Sequence, residues 1–262
     1  MNKSLRSTVL VSILFFALSG CSSWRIAAPV PYGNNAEVKT IALMAVYVSP
    51  FQQPQTPVAD ASTFNKKTDA LADELNNLLA QKAEQYAQSL EKGMKMQLGV
   101  DVIAGEELKS RKGYDRYLRD EEKEPLQIKG STPFKTIYVA PGGVNNFKFD
   151  NGQLQTFIDE SPRLRSIARK QVRNLEANAV AFSHTRVVID QVAPLGKKAA
   201  ARLYTDIYVY DDRGKLIGHG SGETKSLNIV GDTVDDYKKV MDQYPELQRR
   251  VLEEMAKTEE EA

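Results

Sequence analysis

The hydrophobic and polar positions along the chain predict strands and helices in a mixed order. Residues 40–48 form a continuous apolar run, which is typical of a buried central strand. Between residues 65 and 97, apolar residues recur at steps of three and four, and this period predicts one long helix with a single apolar stripe. Gly99 ends this helix, and residues 100–103 predict a second short strand.

The rest of the chain combines period-two segments with two more helical segments. Asn151-Gly152 favours a tight hairpin turn, and Ser161-Pro162 is a typical helix start. The predicted elements are one or two helical turns at 106–111, a strand at 134–139, a hairpin at 147–158, a helix from 162, strands at 179–189, 200–210 and 216–225, and a terminal helix from about 234 that Pro245 breaks or restarts.

This order of elements predicts the fold class and the domain organisation. It indicates an α/β (α+β) fold with a single mixed β-sheet, a long helix after the first strand, an antiparallel hairpin near the C-terminus and a terminal helix. We expect one domain over residues 39–257, with a highly charged insert at about 112–158 and an acidic tail at 258–262.

The amino-terminal segment resembles the signal peptide of bacterial lipoproteins. Lys3 and Arg6 precede an apolar stretch at residues 9–18 that is too short to span a membrane. Leu18-Ser19-Gly20-Cys21 then matches the lipobox, in which an aliphatic residue and two small residues precede cysteine. The resemblance implies removal of residues 1–20, diacylglycerol on the Cys21 sulfur, an acyl chain such as palmitate on the new amino terminus, and a lipidated tether at 21–38.

The alternative is an ordinary secretory signal followed by an accidental cysteine. Against it, Cys21 is the only cysteine of the chain and occupies the position that the lipobox requires. In Gram-negative lipoproteins, Asp at the second mature position causes retention in the inner membrane, and this chain has Ser22 there. For a Gram-negative host the resemblance therefore implies an outer-membrane protein that faces the periplasm; a Gram-positive host would change this expectation.

Three segments resemble an α/β domain that several envelope proteins share. They are Thr40–Val48 as the first strand, Leu175–Val180 where a helix ends and a strand starts, and Leu203–Ser226 where two strands pair through an Asp-Asp-Arg-Gly turn. This domain occurs in the curli-secretion lipoprotein, the amino-terminal domain of the Tol-system propeller protein and lipoprotein activators of penicillin-binding proteins. The resemblance implies protein binding or assembly, and it brings no shared catalytic site.

Composition excludes one class of partner and one source of stability. The 35 basic residues nearly balance the 34 acidic residues, so the chain has no net field that would attract nucleic acid. One cysteine cannot form an internal disulfide. Stability must therefore come from packing.

Candidate chemistry is sparse. His184 and His219 lie on strands that we predict to be adjacent, but a metal site needs further ligands, so two structural histidines are favoured. Ser183 and His184 are neighbours on a strand and should face opposite sides, which argues against a catalytic dyad. Gly218, Gly220 and Gly222 have period two, which favours close packing of a helix over a phosphate loop. We predict no catalytic residues, no cofactor and no metal.

Two polar surfaces remain as candidates. One face of the strand at 200–210 carries the residues that we choose as a candidate binding face, Arg202, Tyr204, Asp206, Tyr208 and Tyr210. The alternative is that a helix covers this face. The helix after Ser161 is basic through residues 163–173, which would suit anionic lipid head groups, although a solvated face is the commoner explanation.

The sequence therefore favours a non-enzymatic lipoprotein of the envelope, anchored through Cys21, which binds another envelope protein or associates with itself. The alternatives are an envelope hydrolase that uses dispersed carboxylates, and a lipoprotein that binds a small molecule or a glycan.

Overall fold

A computed structural model describes residues 24–33, 35, 37–52, 61–112, 114, 126–127, 136–140, 162–192 and 197–258. The strands are β1 (Arg25–Val30), β2 (Thr40–Gln52), β3 (Asp101–Ile103), β4 (Leu126–Gln127), β5 (Thr136–Ala140), β6 (Ala179–Val192), β7 (Ala199–Asp211), β8 (Leu216–Glu223) and β9 (Leu227–Ile229). The helices are α1 (Ala61–Ala70), α2 (Ala72–Gln97), α3 (Gly105–Ser110), α4 (Pro162–Leu175), α5 (Val234–Met241) and α6 (Tyr244–Met255). None of the described helices is both long and apolar enough to cross a membrane.

The described strands form one mixed sheet in the order β1-β8-β7-β6-β2-β5-β4. β2 pairs in parallel with β6 and with β3, and the other described pairs are antiparallel. β3 joins β2 beside Thr40, and β9 joins the first residues of β7. β2 is a continuous apolar run because both of its faces are covered, as is usual for a central parallel strand.

Helices cover the two sides of the sheet unequally. On one side, which we call the three-helix face, α2, α5 and α6 contribute to the larger hydrophobic core. The Tyr86 hydroxyl donates to the Met241 carbonyl oxygen at 2.7 Å, and the Tyr86 and Tyr244 rings stack at 3.7 Å, which joins α2 to α5 and α6. On the other side, which we call the α4 face, α4 and α3 contribute to a smaller core.

The structure confirms the predicted fold class, with one mixed sheet, a carboxy-terminal hairpin and a terminal helix. The predicted long helix is broken at Leu71, so that α1 and α2 are separate. β2 continues to Gln52, beyond the predicted end at residue 48, and the short β9 was not predicted. The signal segment, Cys21 and the predicted hairpin at 147–158 lie outside the described residues, as does most of the charged insert.

The predicted tether at 21–38 is wrong over residues 25–30. These residues form β1, an edge strand that pairs with β8 from Arg25↔Glu223 to Val30↔His219. Pro29 suggested a loop, but an edge strand tolerates proline because one row of its amide groups needs no partner strand. β1 therefore starts four residues after Cys21.

Candidate binding site on the α4 face

The inner half of the predicted tyrosine face is core. Tyr208 and Tyr210 are 0% and 2% exposed, and the Tyr210 ring meets Phe182 edge-on at 6.3 Å. Three apolar residues of α4 at helical spacing, Ala168, Val172 and Leu175, belong to the same core. A helix therefore covers these two tyrosines, and the candidate face cannot extend over them.

A polar cluster occupies the outer half of the same face. It comprises His184, Arg186, Arg202, Tyr204, Asp206, His219 and Glu223, which lie on the neighbouring strands β6, β7 and β8. Strand pairing explains why residues distant in sequence meet here. Asp206 lies opposite His184 on one side and opposite Ser221 on the other.

Asp206 is at the centre of the cluster and is fully buried. His219 Nε2 is 3.3 Å from Asp206 Oδ1, and Arg186 Nη1 is 3.6 Å from Asp206 Oδ2. The His219 ring stacks on Tyr208 at 4.4 Å, which fixes the orientation of the imidazole. A buried carboxylate needs such partners, because an uncompensated charge in the interior is strongly unfavourable.

His184 is fully buried beside Asp206, on the β6 side. Burial lowers the pKa of His184 well below its usual value, and the nearby Arg186 guanidinium lowers it further. The imidazole is therefore neutral at neutral pH, and its Nδ1 lies 3.4 Å from Arg186 Nη1, as an acceptor would. The sequence suggested that the two histidines lie on adjacent strands. This is wrong, because β7 runs between β6 and β8.

The part of the cluster nearest solvent combines an aromatic ring with charges of both signs. The Arg186 guanidinium lies 4.0 Å from the centroid of the Tyr204 ring, in a cation–π contact. Burial raises the pKa of the Tyr204 hydroxyl. Glu223 accepts from Arg202 at 2.6 Å and from Arg25 at 3.2 Å. The candidate face thus contracts to Arg202 and Tyr204, with Arg25, Arg186 and Glu223 around them.

The glycine prediction is confirmed. Gly218, Gly220 and Gly222 face α6, and a Cβ on Gly220 would lie 2.5 Å from Met255 and 2.7 Å from Val251. Ser183 and His184 also point to opposite faces, because the Ser183 side chain lies near the Tyr244 hydroxyl of α6 whereas His184 belongs to the polar cluster. The period-two glycines are therefore a packing surface.

The described cavities lie away from the polar cluster. Arg169, Lys170 and Arg173 of α4 line an open cavity of about 310 Å³ with Asn174. A second cavity, of about 260 Å³, lies where the α2 and α6 carboxyl ends meet Tyr32 and Asn35. Within the described ranges, no group of three or more His, Cys, Asp or Glu side chains could hold a metal ion.

Sequence reasoning found the β7 part of the cluster and singled out the two histidines, but it missed Arg186 and Glu223. Tyr204 and Asp206 were chosen because they alternate on β7. His184 and Arg186 alternate in the same way on β6, as do His219 and Ser221 on β8, so the signal existed strand by strand. What the sequence lacks is the register that places these three short patterns side by side.

Comparisons with known proteins give distant structural likenesses. No protein-family description matches the sequence, and no curated protein matches it. A PelC dodecamer from Paraburkholderia phytofirmans is 10% identical, with 90% of this chain and 99% of that chain covered and a TM-score of 0.31. A point variant of that PelC, also a dodecamer, is 10% identical over 89% and 97% with a TM-score of 0.29. A candidate lipoprotein from Caulobacter crescentus is 19% identical over 30% and 60%, with a TM-score of 0.15. These scores are too low to assign the chain to a family.

Proposed function

We propose that this chain is a lipid-anchored accessory protein of the bacterial envelope, which acts by binding another envelope protein or another copy of itself. In a Gram-negative host it would face the periplasm from the outer membrane. The observation that carries the proposal is the place of the only cysteine. Cys21 follows Leu18-Ser19-Gly20 and lies four residues before Arg25, where β1 begins.

The outer half of the α4 face supports protein binding as the mode of action. Tyr204 and Arg202 are half-buried, so part of each side chain is accessible, and each is held in place by a neighbour. A pre-ordered aromatic ring and a pre-ordered arginine lose little conformational entropy on binding, which is why such residues dominate protein interfaces.

The hydrolase alternative receives less support from the same cluster. A pair of carboxylates for acid–base chemistry would have to be Asp206 and Glu223, since these are the acidic residues of the cluster. Each of them lies in an ion pair with an arginine, Asp206 with Arg186 and Glu223 with Arg202. Asp206 is also fully buried beneath its neighbours. These contacts suit a structural role better than access to a substrate.

The anchor is tested by following lipidation in cells. Wild type and a Cys21→Ser variant are grown with an alkyne analogue of palmitate and separated into membrane and soluble fractions. We expect label and membrane association in wild type and neither in the variant. Label-free wild type in the soluble fraction would overturn the proposal.

The binding surface is tested by crosslinking in cells. A photoreactive amino acid replaces Arg202, and in a matched control it replaces Arg213, an exposed residue at the opposite end of β7. We expect a discrete adduct from position 202 that is lost when Tyr204→Ala is added, and no such adduct from position 213. Equal adducts from both positions, or none from position 202, would contradict binding at this surface.

A further inference from the structure

The strand directions place the start of β1 and the β6–β7 hairpin toward the same end of the sheet. β1 starts beside the end of β8, because Arg25 pairs with Glu223. The end of β8 lies beside the first half of β7, because Glu223 also pairs with Tyr204. β1 therefore starts, at Arg25, toward the end of the sheet where β6 and β7 form their hairpin, which we call the anchored end because Cys21 lies only four residues before Arg25.

The hairpin extends farther at this end than the link to the anchor can reach. β7 continues from Tyr204 back to Ala199, still paired with β6 as far as Val192. Lys198 thus lies six residues beyond the row that holds Arg25, or about 20 Å at the rise of a strand. Four Cα steps separate Cys21 from Arg25, and they span at most about 15 Å.

This difference in length leaves two arrangements of the anchored domain at the membrane. Acyl chains on Cys21 would hold Arg25 within about 15 Å of the lipid surface, whereas the hairpin projects farther in the same direction. The hairpin must then reach the head groups, or the whole domain must tilt away from them. The charges on the hairpin decide between these two arrangements.

The described part of the hairpin end carries cations and an apolar neighbour. Lys197 and Lys198 are both exposed. Beside them, Ile229 of β9 pairs with Ala199, and the next residue, Val230, is one of two large apolar side chains that are exposed in the described part of the chain. Exposed lysines around an apolar side chain suit the boundary between lipid phosphates and acyl chains.

We propose that Lys197 and Lys198 bind the phosphates of anionic lipids in the membrane that holds Cys21, and that this contact fixes the orientation of the domain. The inference rests on the lipid anchor proposed above. The exposed acidic residues near this end, Asp232 and Asp235, lead into α5, which packs on the three-helix face. The opposite end of the sheet, with the β7–β8 turn, then faces away from the membrane.

The orientation is measured by energy transfer from the protein to acceptor-labelled lipids. The lipidated protein is placed in vesicles of phosphatidylethanolamine and phosphatidylglycerol, with a donor dye on Asn228→Cys at the anchored end or on Asp212→Cys at the far turn. Both positions are exposed, and Cys21 is the only native cysteine, so each variant has one free thiol when Cys21 is acylated. The two ends of β7 lie about 40 Å apart, well within the range that this method separates.

We expect much stronger transfer from position 228 than from position 212. Two lysines near an anionic surface bias the ratio of the two orientations by roughly thirtyfold. The double variant Lys197→Glu, Lys198→Glu should bring the two transfer efficiencies close together. The matched control Arg213→Glu, Lys215→Glu reverses two exposed charges at the other end of the same sheet and should leave the difference intact. Circular dichroism checks that all variants are folded.

Several outcomes would overturn the inference. Equal transfer from the two positions in wild type would refute the orientation. A difference that survives the lysine reversal, or that is as large in vesicles of phosphatidylcholine alone, would show that the short link orients the domain without the lysines. Flotation of the vesicles distinguishes these failures from failure of the anchor, because a chain without acyl groups would not float with them.

Discussion

The two faces of the sheet are built on different principles. The three-helix face is mainly apolar, with a few buried polar side chains such as Thr185 and Thr205, and α6 approaches β8 closely because glycines at alternate positions leave no side chains between them. The α4 face is apolar only under α4 and ends in a buried group of charged and imidazole side chains around Asp206. Close packing stabilises the three-helix face, and ion pairs contribute to the stability of the α4 face. Different kinds of substitution should therefore lower the unfolding free energy at each face.

The largest expected effect is on the charged half of the α4 face. Asp206→Ala would leave Arg186 and His219 without the carboxylate that both of them contact. Removal of one partner from a buried ion pair costs about 3–5 kcal/mol of unfolding free energy. Urea denaturation of wild type and variant measures this loss. Asp211→Ala, at the more exposed end of the same strand, is the control and should lose less unfolding free energy. An equal loss in the two variants would mean that the ion pairs of the cluster add nothing to stability.

The next largest effect concerns the glycine surface of the three-helix face. Gly220→Val places carbon atoms where Met255 and Val251 already lie, with even a Cβ only 2.5 Å from Met255. Overpacking of this kind costs about 1–3 kcal/mol. The same denaturation experiment measures it. Ser221→Ala, one residue along and on the opposite face, should be milder, and a Gly220 variant as stable as wild type would contradict close packing of α6.

The pH dependence of the unfolding free energy tests the α4 face alone, through the buried imidazole of His184. His184 has its pKa well below the ordinary value near 6.5 in the folded state, so the unfolded chain binds a proton that the folded chain does not. The contribution of neutral His184 to the unfolding free energy is therefore fully present above about pH 6.5. Below that pH the unfolding free energy falls by up to about 1.4 kcal/mol per pH unit. His184→Gln should remove this part of the slope. Parallel curves for the two proteins would show that His184 is not a buried neutral group.

The smallest effect is expected on the solvent side of α6. Arg249 and Arg250 hydrogen-bond to Glu246 and lower its pKa to about 2, but all three side chains are more than two-fifths exposed. Solvent screening leaves such exposed pairs with little effect on the free energy of unfolding. Glu246→Gln should therefore shift the denaturation midpoint only slightly. A loss as large as that from Gly220→Val would mean that surface charges hold α6 on the sheet.

Local patterns explain which predictions the structure confirmed. The apolar run at 40–48, the helical period before residue 97 and the alternation in residues 200–210 each report burial on a periodic element, and periodicity is visible within a single segment. The glycines of β8 belong to the same class, because period two by itself indicates one face of a strand.

The errors came from features that depend on distant partners. Pro29 favours a loop at residues 25–30, and only pairing with β8 makes them a strand whose positions alternate between exposed and half-buried. The tyrosines of β7 are indistinguishable by sequence, yet α4 buries Tyr208 and leaves Tyr204 partly exposed. The extent of a helix across a sheet is set by packing, which local patterns do not encode.

The sequence by itself determined the fold class and carries the lipobox-like segment at residues 18–21 on which the proposed anchor rests, because hydrophobic period and a short motif are local properties of the chain. Only the tertiary structure decided that His184, Arg186, Asp206 and His219 meet, because their contact depends on the register of three strands. The same register places the start of β1 toward the end of the sheet that carries the β6–β7 hairpin. Strand register is fixed by the summed burial of whole faces, so the sites that depend on it emerge only when the sheet is complete.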